Sequence, residues 1–87
     1  MSARWSYVLA DPARRDLRRS DQTVRNRILA ALDRFVDSGV GDVRKLAGRE
    51  AEWRLRVGDY RVLFERDAER QVIVVLRVRH RQEAYSE

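Results

Sequence analysis

Two segments of this chain repeat their apolar residues with a period of two. Trp53, Leu55 and Val57 alternate with Arg54 and Arg56, and Tyr60, Val62 and Phe64 alternate with Arg61 and Leu63. Successive side chains of a strand face opposite ways, so each run sets one apolar face against one arginine-bearing face. Gly58-Asp59 between the runs is the expected hairpin turn, because two-residue loops need a residue tolerant of positive φ. That turn sets Arg61 beside Arg54 and Arg56. A third run, Val72 to Val78, passes Arg77 and Arg79 and delivers His80, Arg81 and Tyr85 to the end of the same sheet. At the other end of the chain Trp5-Ser6-Tyr7-Val8-Leu9 alternates enough to be a strand.

The pattern between Asp11 and Gly39 is helical. Asp11-Pro12 reads as an N-cap carboxylate followed by proline at the first helical position, where its missing N–H costs nothing. A short helix to about Arg19 follows. Ser20 or Asp21 can cap a second helix, in which Val24, Ile28, Ala31, Leu32 and Phe35 recur on one face, and Gly39 suits the position after its last turn. From Gly39 to Glu52 the chain is polar and glycine-bearing and reads as a loop. Asp67-Ala68-Glu69-Arg70 reads as a turn into the last strand.

The order strand, helix, helix, three strands implies an α+β domain: a largely antiparallel four-stranded sheet with two N-terminal helices packed on one face. Tyr60, Val62 and Phe64, with Val72, Val74, Leu76 and Val78, are expected against the helices. Leu63, Ile73 and Val75 are expected on the open face among Arg54, Arg56, Arg61 and Arg77. An apolar patch rimmed by arginine implies a partner that covers it.

With 87 residues, 44% of them apolar, the chain makes a single domain spanning residues 1–87 with one core. The absence of cysteine removes disulfides and thiolate metal sites, and a single histidine argues against a zinc centre. No apolar stretch approaches the ~20 residues that span a bilayer, and Met1-Ser2-Ala3-Arg4-Trp5 has no signal-peptide core, so a soluble cytoplasmic protein is expected. The net charge of +5 favours a polyanionic partner, although 14 acidic residues offset 19 basic ones. Every basic residue but Lys45 is arginine, which suits bidentate phosphate contacts and also follows from an arginine-rich genome.

Taken together, the Ala13-Arg14-Arg15-Asp16-Leu17 helix, the run Val24 to Leu32, the loop Lys45-Leu46-Ala47-Gly48, the segment Trp53 to Leu63 and the closing His80-Arg81-Gln82-Glu83-Ala84-Tyr85 resemble the RelE/ParE superfamily of bacterial toxins from type II toxin–antitoxin modules. The likeness runs from Tyr7 to Tyr85. RelE-like members are ribosome-dependent endoribonucleases that cut messenger RNA in the ribosomal A site; ParE-like members share the fold and poison DNA gyrase. By position the chain matches the RelE-type site at Arg54, Arg56, Arg61, Arg81 and Tyr85, which favours the nuclease. It departs from that pattern where lysines often stand, at Arg54 and Arg56, and where a glycine commonly precedes the final His-Arg pair, at Arg79. The resemblance also implies a cognate antitoxin wrapping the mixed apolar and arginine-rich face. Operator DNA would be engaged only through that antitoxin. No cofactor or metal is implied. The alternatives are a gyrase inhibitor and an inactive member that only binds its antitoxin.

Metal-free RNA cleavage needs an in-line 2′-hydroxyl, charge stabilisation of a phosphorane-like transition state, a base and an acid. Arg61 and Arg81 are the expected phosphate clamp, both exposed in the free protein. Arg54 and Arg56 are expected to neutralise developing charge, and Tyr85 to stack on a base or orient the nucleophile. RNA contacts are expected from Arg54, Arg56, Arg77, Arg79 and Lys45. His80 alone has an unperturbed pKa near neutrality, which makes it a proton-transfer candidate. A role as a structural residue ending the strand is its equal. Glu50, Glu52 and Glu83 are further candidate bases that no spacing argument separates, and solvated loop carboxylates are the plainer reading of all three. Trp5 and Trp53 read as core or partner-contact residues.

Overall fold

The computed structural model describes residues 5–46 and 52–81. Within them the chain runs β1 (Ser6–Leu9), α1 (Asp11–Arg19), α2 (Gln22–Ser38), β2 (Asp42–Lys45), β3 (Glu52–Val57), β4 (Tyr60–Asp67) and β5 (Val72–His80). The strands form one sheet in the order β1-β5-β4-β3-β2. The α+β class and the two helices are as expected, but the sheet has five strands and is mixed: β1 runs parallel to β5, while the other pairs are antiparallel. The additional strand is β2, which lies where a loop was expected. It sits at the sheet edge with only Val43 apolar toward the core, so it carries no alternating signature.

α1 begins one residue earlier than the sequence suggested. Ala10 is its N-cap, with its carbonyl accepting from the Arg14 N–H at 3.0 Å, and Asp11 lies in the first turn ahead of Pro12. α2 starts after Asp21 and stops at Gly39, whose φ of 77° is the left-handed geometry that glycine adopts without strain. Arg25 turns back from α2 to close the C-terminus of α1, donating to the carbonyls of Leu17 at 3.1 Å and Ser20 at 3.0 Å. The two helices are thus joined by a guanidinium bonded to two backbone carbonyls at the C-terminal end of α1.

Ile28, Leu32, Phe35 and Val36 of α2 and Ala13 and Leu17 of α1 pack onto Leu55, Val62, Phe64, Ile73, Val75 and Val78. Phe35 and Phe64 meet at a centroid distance of 5.6 Å, tilted by 59°. On β3 and β4 the core face is the expected one. On β5 it is not: Ile73 and Val75 are fully buried, while Val72, Val74 and Leu76 are only partly covered. The reason is a β-bulge. Leu63 pairs with Arg77 but Phe64 pairs with Val75, which leaves Leu76 as the extra residue and reverses the alternation between the two halves of the strand. The open face therefore carries Val72, Val74, Val8 and Leu63 rather than Ile73 and Val75.

Gly58 and Asp59 make the hairpin turn, with Val57 opposite Tyr60. Positive φ falls on Gly58 alone, at 59°, as in a type II′ turn. A Cβ there would stand 3.0 Å from Nη2 of Arg27 on α2.

Candidate functional site: an arginine cleft on the open sheet face

The ladders align charged side chains in rows across the strands. Asp42 is opposite Arg56, Arg56 opposite Arg61, and Arg61 opposite Arg79. In the next row Arg44 is opposite Arg54 and Arg54 opposite Leu63. Residues opposite one another share a face, so these arginines all lie on the side of the sheet away from the helices. Arg44, Arg54, Arg56, Arg61 and Asp42 line a cleft of about 120 Å³.

The hairpin turn organises the cleft. The Gly58 carbonyl accepts from Arg61 Nη1 at 3.2 Å and from Arg56 Nε at 3.4 Å, and the Tyr60 carbonyl accepts from Arg61 Nη1 at 3.1 Å. Two cations directly opposite one another repel, and the shared carbonyl dipole offsets part of that repulsion. Arg61 was expected to be exposed; it is only 4% exposed, because its guanidinium folds back onto the turn between two neighbouring strands. Arg61 therefore holds the cleft's shape as well as its charge. Arg81 is exposed and lies just past β5, and its N–H donates to the Asp59 carbonyl at 2.6 Å, which pins the chain beside the same turn.

Other residues singled out by the sequence are not brought into the cleft. His80 pairs with Tyr60 on the helix side of the sheet, ring edge to ring face at 5.2 Å. Both open into a different cleft, of about 330 Å³, that also includes Asp16, Asp21 and Arg77. Arg77 turns to α1: its Nε and Nη2 donate to the Asp16 carboxylate at 2.9 and 3.2 Å. Lys45 is opposite Trp53 and stands 5.9 Å over its indole, on the helix side. Trp53 and Trp5 flank the Arg66 guanidinium at 5.4 and 5.3 Å, so both are packing residues at the base of the sheet. Glu52 pairs with Glu65 beyond the cleft. Glu50, Glu83 and Tyr85 lie outside the described residues.

Asp42 and Arg44 were missed by the sequence reading. Once β2 is placed in register with β3, their position follows, and only the lack of apolar alternation hid the strand. Asp16 was quoted only as part of the α1 motif. Burial pushes its carboxyl up, but the bonds from Arg77 and from the Val78 N–H at 2.9 Å, with the charges of Arg77 and Arg79, outweigh burial and hold it below the usual carboxylate range. On the same side of the sheet, burial first, then the charge and hydrogen bond of Asp33, raise the Tyr7 hydroxyl and tie β1 to α2.

Chemically, the cleft is a donor array. Guanidinium groups offer N–H bonds and no acceptor, and their geometry matches the oxygens of a phosphodiester. Clustered like charge disfavours the empty state, so an anion that neutralises it is bound with that repulsion relieved.

The family described as the ParE toxin of the type II toxin–antitoxin system, parDE, matches residues 7–85. No curated protein matches the chain. Among solved structures, it is 26% identical to a chain of the RelB–RelE antitoxin–toxin complex from Methanococcus jannaschii, covering 91% of this chain and 95% of that one with a TM-score of 0.74. It is 25% identical to a chain of the archaeal RelE–RelB complex from Pyrococcus horikoshii OT3, covering 90% and 96% with a TM-score of 0.76. The isolated E. coli RelE toxin, 22% identical over 94% of this chain and 92% of that one, shares the fold with a TM-score of 0.73. The chain therefore belongs to the ParE toxin family of type II toxin–antitoxin systems, within the RelE/ParE superfamily and with a RelE-like fold.

Proposed function

We propose that this toxin is an endoribonuclease that binds messenger RNA through the arginine cleft and cuts it on the ribosome, by attack of a 2′-hydroxyl on the scissile phosphate. The observation that carries the reading is the convergence of Arg44, Arg54, Arg56 and Arg61 in one cleft on the sheet face away from the helices. Arg56 and Arg61 clamp the scissile phosphate and stabilise its developing charge, and Arg54 and Arg44 hold the neighbouring backbone. Arg79 completes the row, and Arg81 stands just past the end of β5 beside the same turn.

The same face supports a cognate antitoxin as partner in the cytoplasm. Val8, half exposed at 50%, and the partly covered Val72, Val74 and Leu63 adjoin the arginines. An antitoxin segment with apolar residues beside carboxylates fits both halves and blocks the cleft by charge and bulk. Operator DNA is reached through that antitoxin.

The test is a purified translation system with programmed ribosomes and a defined message, mapped by primer extension. The parent protein gives new 3′ ends at A-site codons, and an Arg54→Ala/Arg56→Ala variant does not. Both positions are more open than Arg61, so their loss leaves the fold in place. Intact message with the parent protein overturns the reading. The matched ParE description favours one second reading, gyrase inhibition, under which the message stays intact and expression causes DNA damage that is indifferent to the same substitutions.

A further inference from the structure

Among the described residues, every side chain that lines the arginine cleft is charged, and only one of them can accept a proton. Arg44, Arg54, Arg56 and Arg61 are donors throughout, whereas the remaining lining residue, Asp42, is an acceptor. Asp42 stands opposite Arg56 at the outer end of the arginine row. Of the other described acid–base groups, His80 and Tyr60 open on the helix side, and Glu52 and Glu65 share the open face but stand opposite each other in the row beyond Arg54, outside the cleft lining.

We infer that Asp42 is the group that receives the substrate's 2′-hydroxyl, accepting its hydrogen bond on binding and its proton in the reaction. The inference rests on the ribonuclease reading above and names the proton acceptor of that same site. A carboxylate at the end of a cationic row repels a phosphate and attracts a donor. The 2′-hydroxyl is a donor that RNA has and DNA lacks. Neighbouring strands are ~4.8 Å apart, so a phosphate held by Arg56 and Arg61 leaves its adjoining ribose over β2, where Asp42 is exposed.

In the reaction Asp42 takes the 2′-hydroxyl proton as the 2′-oxygen bonds to phosphorus. The bond from phosphorus to the 5′-oxygen breaks, and water protonates the leaving oxygen. The products are a 2′,3′-cyclic phosphate and a 5′-hydroxyl, and the carboxyl returns its proton to solvent. The competing role for Asp42 is that of a counterion, which would hold Arg56 in place and make no contact with substrate.

The two roles separate in a paired experiment on Asp42→Asn and Asp42→Glu, both at an exposed edge-strand position that does not support the core. Single-turnover cleavage of a ribosome-bound message is followed across pH, alongside binding of an uncleavable 2′-O-methyl RNA oligonucleotide. Asp42→Asn is expected to slow cleavage by about 10²–10³-fold, the range of general-base loss, and to abolish the acid limb of the pH profile. Oligonucleotide binding stays as tight as the parent's or becomes tighter, and Asp42→Glu recovers part of the rate. Parental cleavage by Asp42→Asn, or a loss of binding that accounts for the loss of rate, overturns the inference and leaves the ribonuclease reading standing. A parent protein that leaves the message intact overturns both.

Discussion

Replacing Asp16 by alanine removes three hydrogen bonds that join α1 to the free edge of β5. β1 covers β5 only from Val72 to Val75, and beyond that the Asp16 carboxylate accepts from the Val78 N–H where a strand would otherwise sit. Val78 is 6% exposed, so its N–H would be left without a partner, at a cost of about 1–3 kcal/mol. The ion pair adds less, about 0.5–1 kcal/mol, because the Arg77 side chain is 40% exposed and can rehydrate. Together these give about 1.5–4 kcal/mol, with a middle value of about 2.5. For a domain of this size that lowers the melting temperature by about 10–20 °C. Asp16→Asn keeps a carbonyl oxygen for the Val78 N–H and loses only the charge, so it costs about 1 kcal/mol. The folded-state carboxyl titrates below its unfolded value. Its stabilisation is therefore full above the unfolded pKa of ~3.9 and is lost as pH falls through the lower folded one. Thermal unfolding followed by circular dichroism should show a gap between parent and Asp16→Ala that is constant at neutral pH and narrows, by the part due to the charge, only below about pH 4. Equal melting temperatures at neutral pH, or a gap indifferent to acid, would refute the reasoning.

Three further outcomes follow from the geometry. Binding of a fluorescent 2′-O-methyl RNA oligonucleotide should weaken with salt, and removing one phosphate contact by Arg56→Ala should flatten the log–log slope by about 0.7; an unchanged slope would take Arg56 off the backbone. Gly58→Ala places a Cβ at positive φ and against Arg27, so it should destabilise by about 1–2 kcal/mol in urea titration, with Arg61 losing its seat on the turn. Leu32→Ala empties a fully buried position between α2 and the sheet and should cost about 2–5 kcal/mol, enough to bring a small domain close to unfolding at 37 °C in calorimetry.

The sequence made legible those parts of the fold whose signals are local. The apolar spacing of Ile28, Leu32 and Phe35 marked α2, and the alternation around Gly58-Asp59 placed Arg54, Arg56 and Arg61 on one face. What escaped was set by distant partners. The bulge at Leu76 is a feature of pairing with β4, and without it even-numbered residues of β5 appeared to face the core throughout. β2 is held by its ladder with β3 and not by its own apolar content. The Asp16–Arg77 pair joins residues 61 positions apart, and nothing in either segment announces it. The burial of Arg61 follows from a side chain curling onto its own turn, which alternation cannot express.

The parallel pairing of β1 with β5 has a consequence for how the chain matures. Ser6 to Leu9 find their partners only in Val72 to Val75, so the first strand to emerge in synthesis must wait for the last. Closing so long a loop is entropically costly and slows folding relative to contacts made locally. Until β5 is made, β4 lacks its neighbour, the Arg61–Arg79 row is unformed and the core face of the sheet is incomplete. The sheet is thus closed only after β5 has been made, and the charged row from Asp42 to Arg79 is complete only then.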